Sequence, residues 1–257
     1  MSLQFIILGC GSSLGVPRID GDFGNCNSKN KKNIRSRCSA LLKSKNFNIL
    51  IDTSPDVRLQ FLQNKIKSLD CIFYTHLHAD QTHGINDIRY FYLKNKKQIP
   101  VYANKNTSNY LLSTFKYCFK KTSNFYPPIM KLNALKKKNK FIKNKIIIKS
   151  FDVSHGSINS LCYVINNKLA YASDVSKINK GDYSKIYKLN YLVIDCLREE
   201  PHPSHYNLQK ILELIKEIKP KKTILTNLHS SLDYDNLNKK LPKSVIPAYD
   251  GMKLLIN

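Results

Sequence analysis

No apolar run in this 257-residue chain approaches the roughly 18 residues that a membrane span needs. The opening "MSLQFIILGCG" has no basic lead, and its apolar part is too short for a secretory signal. It reads instead as a first β-strand running into a glycine turn. No internal repeat and no Pro/Gly/Ser linker divides the chain, so the expectation is one domain over residues 1–257. The seven cysteines (Cys10, Cys26, Cys38, Cys71, Cys118, Cys162, Cys196) are odd in number and never form CxxC. Several sit inside apolar runs, where a free thiol behaves as a small hydrophobe, and a reducing cytoplasm suits them better than a disulfide scaffold. Acidic residues are scarce, 18 against 42 lysines and arginines, which leaves a formal charge of +24. That charge admits nucleic acid or phosphate-bearing partners. The most basic stretch, Leu135 to Lys149, nevertheless lacks arginine and has Phe141 as its one aromatic. It is a poor stacking platform for bases and reads as a solvated face.

What the chain does have is apolar residues in short alternating runs, 42% of the total, which argues for a globular protein. The runs predict strands at Leu3–Leu8, Ser39–Lys43, Phe47–Ile51, Cys71–Tyr74, Ile146–Phe151, Leu161–Ile165, Leu169–Ala172, Tyr191–Ile194 and Thr223–Leu225. "KSKNFN" and the Asn166-Asn167 pair read as hairpin turns. Helical spacing follows Ser54-Pro55-Asp56, with Val57, Phe61 and Leu62 on one face. It recurs at Leu208, Ile211, Leu212, Ile215 and Ile218, and more briefly in "INDIRYFYLK". Many strands with interspersed helices suggest an α/β protein with two sheets inside and helices outside.

The seven histidines are His76, His78, His83, His155, His202, His205 and His229, and nearly all fall at the ends of apolar runs. Asp52, Asp80 and Asp174 lie at comparable ends. Side chains there leave the sheet edge where loops converge. Neutral imidazoles gathered with carboxylates suit Zn, Mn or Fe. Alone, His155 would read as a hydrogen-bonded loop residue and Asp174 as a turn cap. The run His76-x-His78-x-Asp80 has no packing rationale and points to a metal site.

The motifs "ILGCGSSLGVPR", "IDTSPD", "THLHAD", "SHG", "YASDVS" and "PAYDGMKL", in this order along the chain, resemble the metallo-β-lactamase superfamily. Within it the chain resembles the branch of phosphoribosyl cyclic phosphodiesterases and, more distantly, ribonuclease Z. The resemblance implies an αββα sandwich of two central mixed sheets flanked by helices, with two metal ions at one edge. It assigns the first ion, Zn or Mn, to His76, His78, His155 and Asp174. The second would take Asp80, Asp174 and two histidines, but this chain has Gln81 and Asn227 in their places. An amide oxygen is the weaker donor. His229 would reach the same face if the last of these strands ran on that far. The family's cysteine knuckle near "GVPR" is reduced to Cys26, and adding Cys38 does not close a zinc site.

The resemblance implies a metal-dependent hydrolase of a small, even cyclic, phosphodiester. Asp80 would act as base, and His202 and His205 would hold the phosphate or protonate the leaving oxygen, with His205 preferred. Asp52 would orient a ligand histidine. Alternatives are an RNA-processing nuclease and a non-catalytic member that binds a phosphate ligand. Family members are often dimers, so a homodimer is an expectation too.

Overall fold

The computed structural model describes residues 3–121, 125–135 and 140–256, so part of the lysine-rich stretch lies outside the described residues. The strands are β1 (Leu3–Gly9), β2 (Ser39–Lys43), β3 (Asn48–Ile51), β4 (Cys71–Phe73), β5 (Ile99–Ala103), β6 (Met130–Ala134) and β7 (Phe141–Lys143). They continue with β8 (Ile146–His155), β9 (Ile158–Ile165), β10 (Leu169–Ala172), β11 (Tyr191–Asp195), β12 (Lys222–Thr226), β13 (Val245–Pro247) and β14 (Lys253–Ile256). Helices are α1 (Val57–Gln63), α2 (Ala79–Thr82), α3 (Arg89–Asn95), α4 (Lys105–Thr114), α5 (Lys116–Phe119), α6 (Tyr183–Ile186), α7 (Leu208–Ile218) and α8 (Tyr234–Lys240).

Two seven-stranded sheets result, ordered β14-β1-β2-β3-β4-β5-β6 and β13-β12-β11-β10-β9-β8-β7. Each is antiparallel in one half and parallel in the other. Parallel pairs need crossovers, and the helices supply them.

The strand period sorts the side chains into layers. In β1, Phe5 and Ile7 enter the core between the sheets, while Ile6 and Leu8 face the layer of α1, α3 and α4. In β10, Leu169 and Tyr171 enter the same central core, and Ala170 and Ala172 face α6, α7 and α8. The architecture is therefore αββα, as the motifs implied.

Both hairpin turns form. Asn166 and Asn167 adopt φ of 50° and 52°, the left-handed pair at the centre of the turn that the Lys168 N–H closes on the Ile165 carbonyl between β9 and β10. Helix α7 is capped by Asn207, whose side chain accepts from the Lys210 N–H. It buries Ile211, Leu214 and Ile218, each contributing roughly 1.5–3 kcal/mol; Leu208, Leu212 and Ile215 flank them, partly buried. In α1 the inward face is Val57, Gln60 and Phe61, and Leu62 is 62% exposed. The stretch "INDIRYFYLK" begins as a 3-10 turn over Ile85–Ile88 and becomes α3 only from Arg89. No helix among the described residues is long and apolar enough to cross a membrane.

Candidate metal centre

Open α/β sheets place their sites beyond the carboxyl ends of parallel strands, and both sheets do so here. Asp52 follows β3, His76 and His78 follow β4, Asp174 follows β10, Asp195 ends β11 and Asn227 follows β12. His155 ends the antiparallel β8 and joins them. His76, His78 and His155 thus arrive together at one edge of the sandwich.

His76 Nε2 lies 3.0 Å from His78 Nδ1, and His155 Nε2 lies 3.2 Å from that same nitrogen. Surrounding groups fix two of the rings. His155 Nδ1 lies 2.7 Å from the Ser204 carbonyl oxygen, which can only accept, so Nδ1 carries the proton and Nε2 a lone pair. Thr75 Oγ1 donates to Asp52 Oδ2 at 2.8 Å and has His76 Nδ1 3.0 Å away. With its own proton committed, that hydroxyl accepts from Nδ1–H, and His76 also turns a lone pair inward. Asp52 thus orients His76 through Thr75, whose backbone N–H it accepts as well. Burial pulls the His76 imidazole down to about 3 despite the opposing charge of Asp174, so the ring is neutral at pH 7.

His76 Nε2 and His155 Nε2 both point at His78 Nδ1, which adds a third lone pair there when its own proton sits on Nε2. The spacing matches ligands about 2.0–2.1 Å from a shared ion in tetrahedral array. The three histidines therefore fit a divalent ion, and Asp174 with His155 and His205 forms an overlapping group of candidate ligand atoms within 4.8 Å of one another. Burial raises the Asp174 carboxyl, but His76, His155 and His205 outweigh that and hold it below its ordinary value.

Gly156 matters to this geometry. Its φ is +57°, and a Cβ there would stand 2.9 Å from Ser204 Cβ, pushing away the loop whose carbonyl orients His155.

The position beside Asp80 is different. Gln81 Nε2 donates to Asp80 Oδ2 at 3.1 Å and to Asp174 Oδ2 at 3.2 Å. Asn227 Nδ2 donates to Asp174 Oδ1 at 3.3 Å and to Asp195 Oδ1 at 3.2 Å. Both amides turn N–H groups toward the carboxylates, and Gln81 Oε1 is buried without a partner among the described residues. Burial, then the charge of Asp174, pushes Asp80 up to about 7.

His229 borders the same cavity but stays outside the ligand group. Strand β12 ends at Thr226, Asn227 turns with φ 61°, and His229 meets Arg18 and Ser231 instead. His83 also leaves the cluster, packing its ring on Phe115. Cys26 donates to the Ser230 carbonyl and Cys38 contacts Thr226, both buried as free thiols.

His205 and His202 do reach the cavity, about 640 Å³, that opens on His78, His155 and Asp174. His205 gives its Nδ1–H to Asp195 Oδ2 at 2.6 Å. Burial lowers the His205 pKa, but the Asp195 bond and charge outweigh it and the net shift is upward. Burial pushes Asp195 up to about 7 against that same bond. Sequence reading missed Asp195, although it closes the apolar run "YLVID" as Asp52 closes "ILID". It also missed Thr75, Arg18 and Arg198, which no periodicity marks.

The family model of the beta-lactamase superfamily domain matches residues 47–227. The chain belongs to the metallo-β-lactamase superfamily. Within the superfamily it is a member of the PhnP-like branch. It is 30% identical to a crystal structure described as a new diphosphatase from the PhnP family, with a TM-score of 0.91 and coverage of 100% of this chain and 98% of that one. An octanoyltransferase of Porphyromonas gingivalis is 30% identical over 261 residues, covering 99% of this chain and 52% of its own length. The chain thus spans about half the length of that curated relative. Zinc-bound PqqB from Methylobacterium extorquens shares the fold at 15% identity and a TM-score of 0.77, with 98% and 99% of the two chains covered. This metallo-β-lactamase superfamily member accordingly has hydrolases for neighbours and a histidine–aspartate cluster able to hold a divalent metal.

Proposed function

We propose that the chain is a metal-dependent phosphodiesterase that hydrolyses a small, even cyclic, phosphodiester at a centre holding one divalent ion, Zn or Mn, firmly. The observation that carries this reading is the convergence of His76, His78 and His155 nitrogens at 3.0 and 3.2 Å, with two rings fixed to present lone pairs. An ion held there would activate water and draw charge from a phosphate oxygen.

The rest of the chemistry belongs to side chains. Asp80 borders the cavity beside the cluster and takes the proton of the attacking water. His205, held by Asp195, gives a proton from Nε2 to the leaving oxygen, and His202, with its ring centroid 5.0 Å away, holds a phosphate oxygen. At the position next to Asp80 the Gln81 and Asn227 amide protons already satisfy the carboxylates, so they replace a second ion with fixed dipoles.

The test is ion content by plasma mass spectrometry together with hydrolysis of bis-p-nitrophenyl phosphate. The expected result is about one ion per chain, with ion and activity both lost in His76→Ala and activity lost to EDTA and restored by Mn²⁺ or Zn²⁺. An ion-loaded chain that leaves the diester intact would make it a binding protein instead.

The +24 charge favours a second reading, an RNA substrate. It requires RNA affinity that falls steeply with salt, and a flat salt response excludes it.

A further inference from the structure

Helix α1 closes in a turn that extends its apolar face. Lys65 adopts φ 53°, its N–H donates to the Leu62 carbonyl, and the Ile66 N–H reaches back to the Phe61 carbonyl. This pair of bonds ends a helix and folds the residue after the turn against the helix's last turn, so Ile66 joins Val57 and Phe61 in one buried cluster. The 3-10 turn and α3 bring Ile88 and Phe91 to the same cluster, and the Phe61 and Phe91 ring centroids lie 5.7 Å apart.

Between these elements lies a cavity of about 520 Å³ with Val57, Phe61, Leu62, Ile66, Ile88 and Phe91 in its wall and Tyr90 beside them. Small-ligand sites typically measure about 300–1,000 Å³ and are mostly apolar with a few polar groups. This cavity shares no lining residue with the one over the histidine cluster, so the metal centre does not account for it. Its charged lining is unequal: Arg58, Lys65 and Lys67 against one carboxylate, Asp87. The three cations are exposed and form no ion pair among the described residues. Leu62 and Tyr90, at 62% and 60% exposure, leave apolar surface in water right beside them.

We propose that this cavity binds a medium-chain fatty carboxylate, with the chain on the apolar wall and the carboxylate between Arg58 and Lys65. Arg58 and Leu62 lie one helical turn apart and Lys65 follows just past the helix end, so cation and apolar wall share one side of α1. A guanidinium and an ammonium hold a carboxylate by charge-assisted hydrogen bonds, while the chain takes Leu62 and Tyr90 out of water. A neutral lipid leaves the cations unmatched, and a cationic amphiphile meets repulsion. A second copy of this chain fits less well, because a two-fold contact sets the same cations against themselves. The site stands independently of the phosphodiesterase reading.

Two measurements test the site. The first is calorimetry of decanoate binding to the full chain in EDTA, at decanoate concentrations too low for micelles. Wild type is expected to bind it saturably at one site per chain and to leave decyltrimethylammonium unbound. Arg58→Glu combined with Lys65→Glu should weaken decanoate binding about tenfold or more. Leu62→Glu, which sets a carboxylate in the apolar wall, should abolish it. All three side chains are exposed, and matching thermal melts confirm that the variants fold.

The second measurement is sedimentation equilibrium of wild type and Leu62→Glu, without ligand. The two should show the same mass. A mass that halves in Leu62→Glu would give the cavity to a second copy of the chain and overturn the proposal. No decanoate binding by wild type, equal binding of decyltrimethylammonium, or equal decanoate binding by the charge-reversed variant would overturn it as well.

Discussion

Asp195 Oδ2 accepts the Nδ1–H of His205 at 2.6 Å and the backbone N–H of Val175 at 2.9 Å, so one carboxylate oxygen joins the proposed proton donor to the residue after Asp174. This bond fixes the proton of neutral His205 on Nδ1 and supports a second proton on Nε2. Asp195→Asn would offer an amide N–H to Nδ1 and reverse the tautomer. The expected outcome is a fall in kcat of about a hundredfold or more with little change in KM. Steady-state kinetics on the chromogenic diester measures it. The double variant with His205→Ala should be no slower than His205→Ala alone, because the two residues act as a unit.

Thr75 Oγ1 bridges Asp52 and His76 at 2.8 and 3.0 Å, with no place of its own in the proposed ligand set. Thr75→Val keeps the shape and the backbone N–H to Asp52, and removes only the bridge. Partners of this kind typically contribute ten- to hundredfold to metal affinity, so Zn²⁺ affinity should fall by about that much. Competition with a chromophoric chelator measures the change, and Thr75→Ser should restore it.

The layers of this fold were legible because alternation in β1 and β10 sends successive side chains to opposite faces, and most predicted runs became strands. The edge strands β6, β7, β13 and β14 and the inner β5 were not. They are short or carry lysine, proline and asparagine, and pairing rather than pattern makes them strands. In α1 the heptad-like spacing put Leu62 inside, but Gln60 is buried instead because its amide binds Ser36 and the Arg37 carbonyl. At the site, residues on strand ends were readable one by one. Arg18 and Asp195 became visible only when segments about 30 and 210 positions from Asn227 met, through contacts to His205 and His229.

Asp250 sets an expected pH dependence of stability. It accepts from the backbone N–H groups of Cys10 and Ser36 and from the Ser36 hydroxyl, and burial pushes its carboxyl up to about 6. The folded chain therefore holds this proton more tightly than the unfolded chain, whose value is near 3.8. Its contribution is complete below that lower value and is lost as pH rises toward 6, a change on the order of 2 kcal/mol. Asp250→Asn cannot titrate there. The stability difference between wild type and Asp250→Asn should therefore move against wild type from pH 4 to pH 7 in urea melts, and a constant difference would refute the assignment.

In the proposed centre, Gln81 and Asn227 set the ion count. Each donates an amide proton to Asp174, and Gln81 also binds Asp80, so the carboxylate oxygens that a second ion would need are occupied by donors. A neutral imidazole in either place would offer a lone pair instead. The double variant Gln81→His with Asn227→His should therefore rise from about one ion per chain to about two, read by plasma mass spectrometry after Zn²⁺ or Mn²⁺ loading and desalting. Each single variant supplies only one of the two missing nitrogens and should stay near one. Wild type already carrying two ions would show that the amides turn their oxygens inward, and the fixed-dipole account of this position would be wrong.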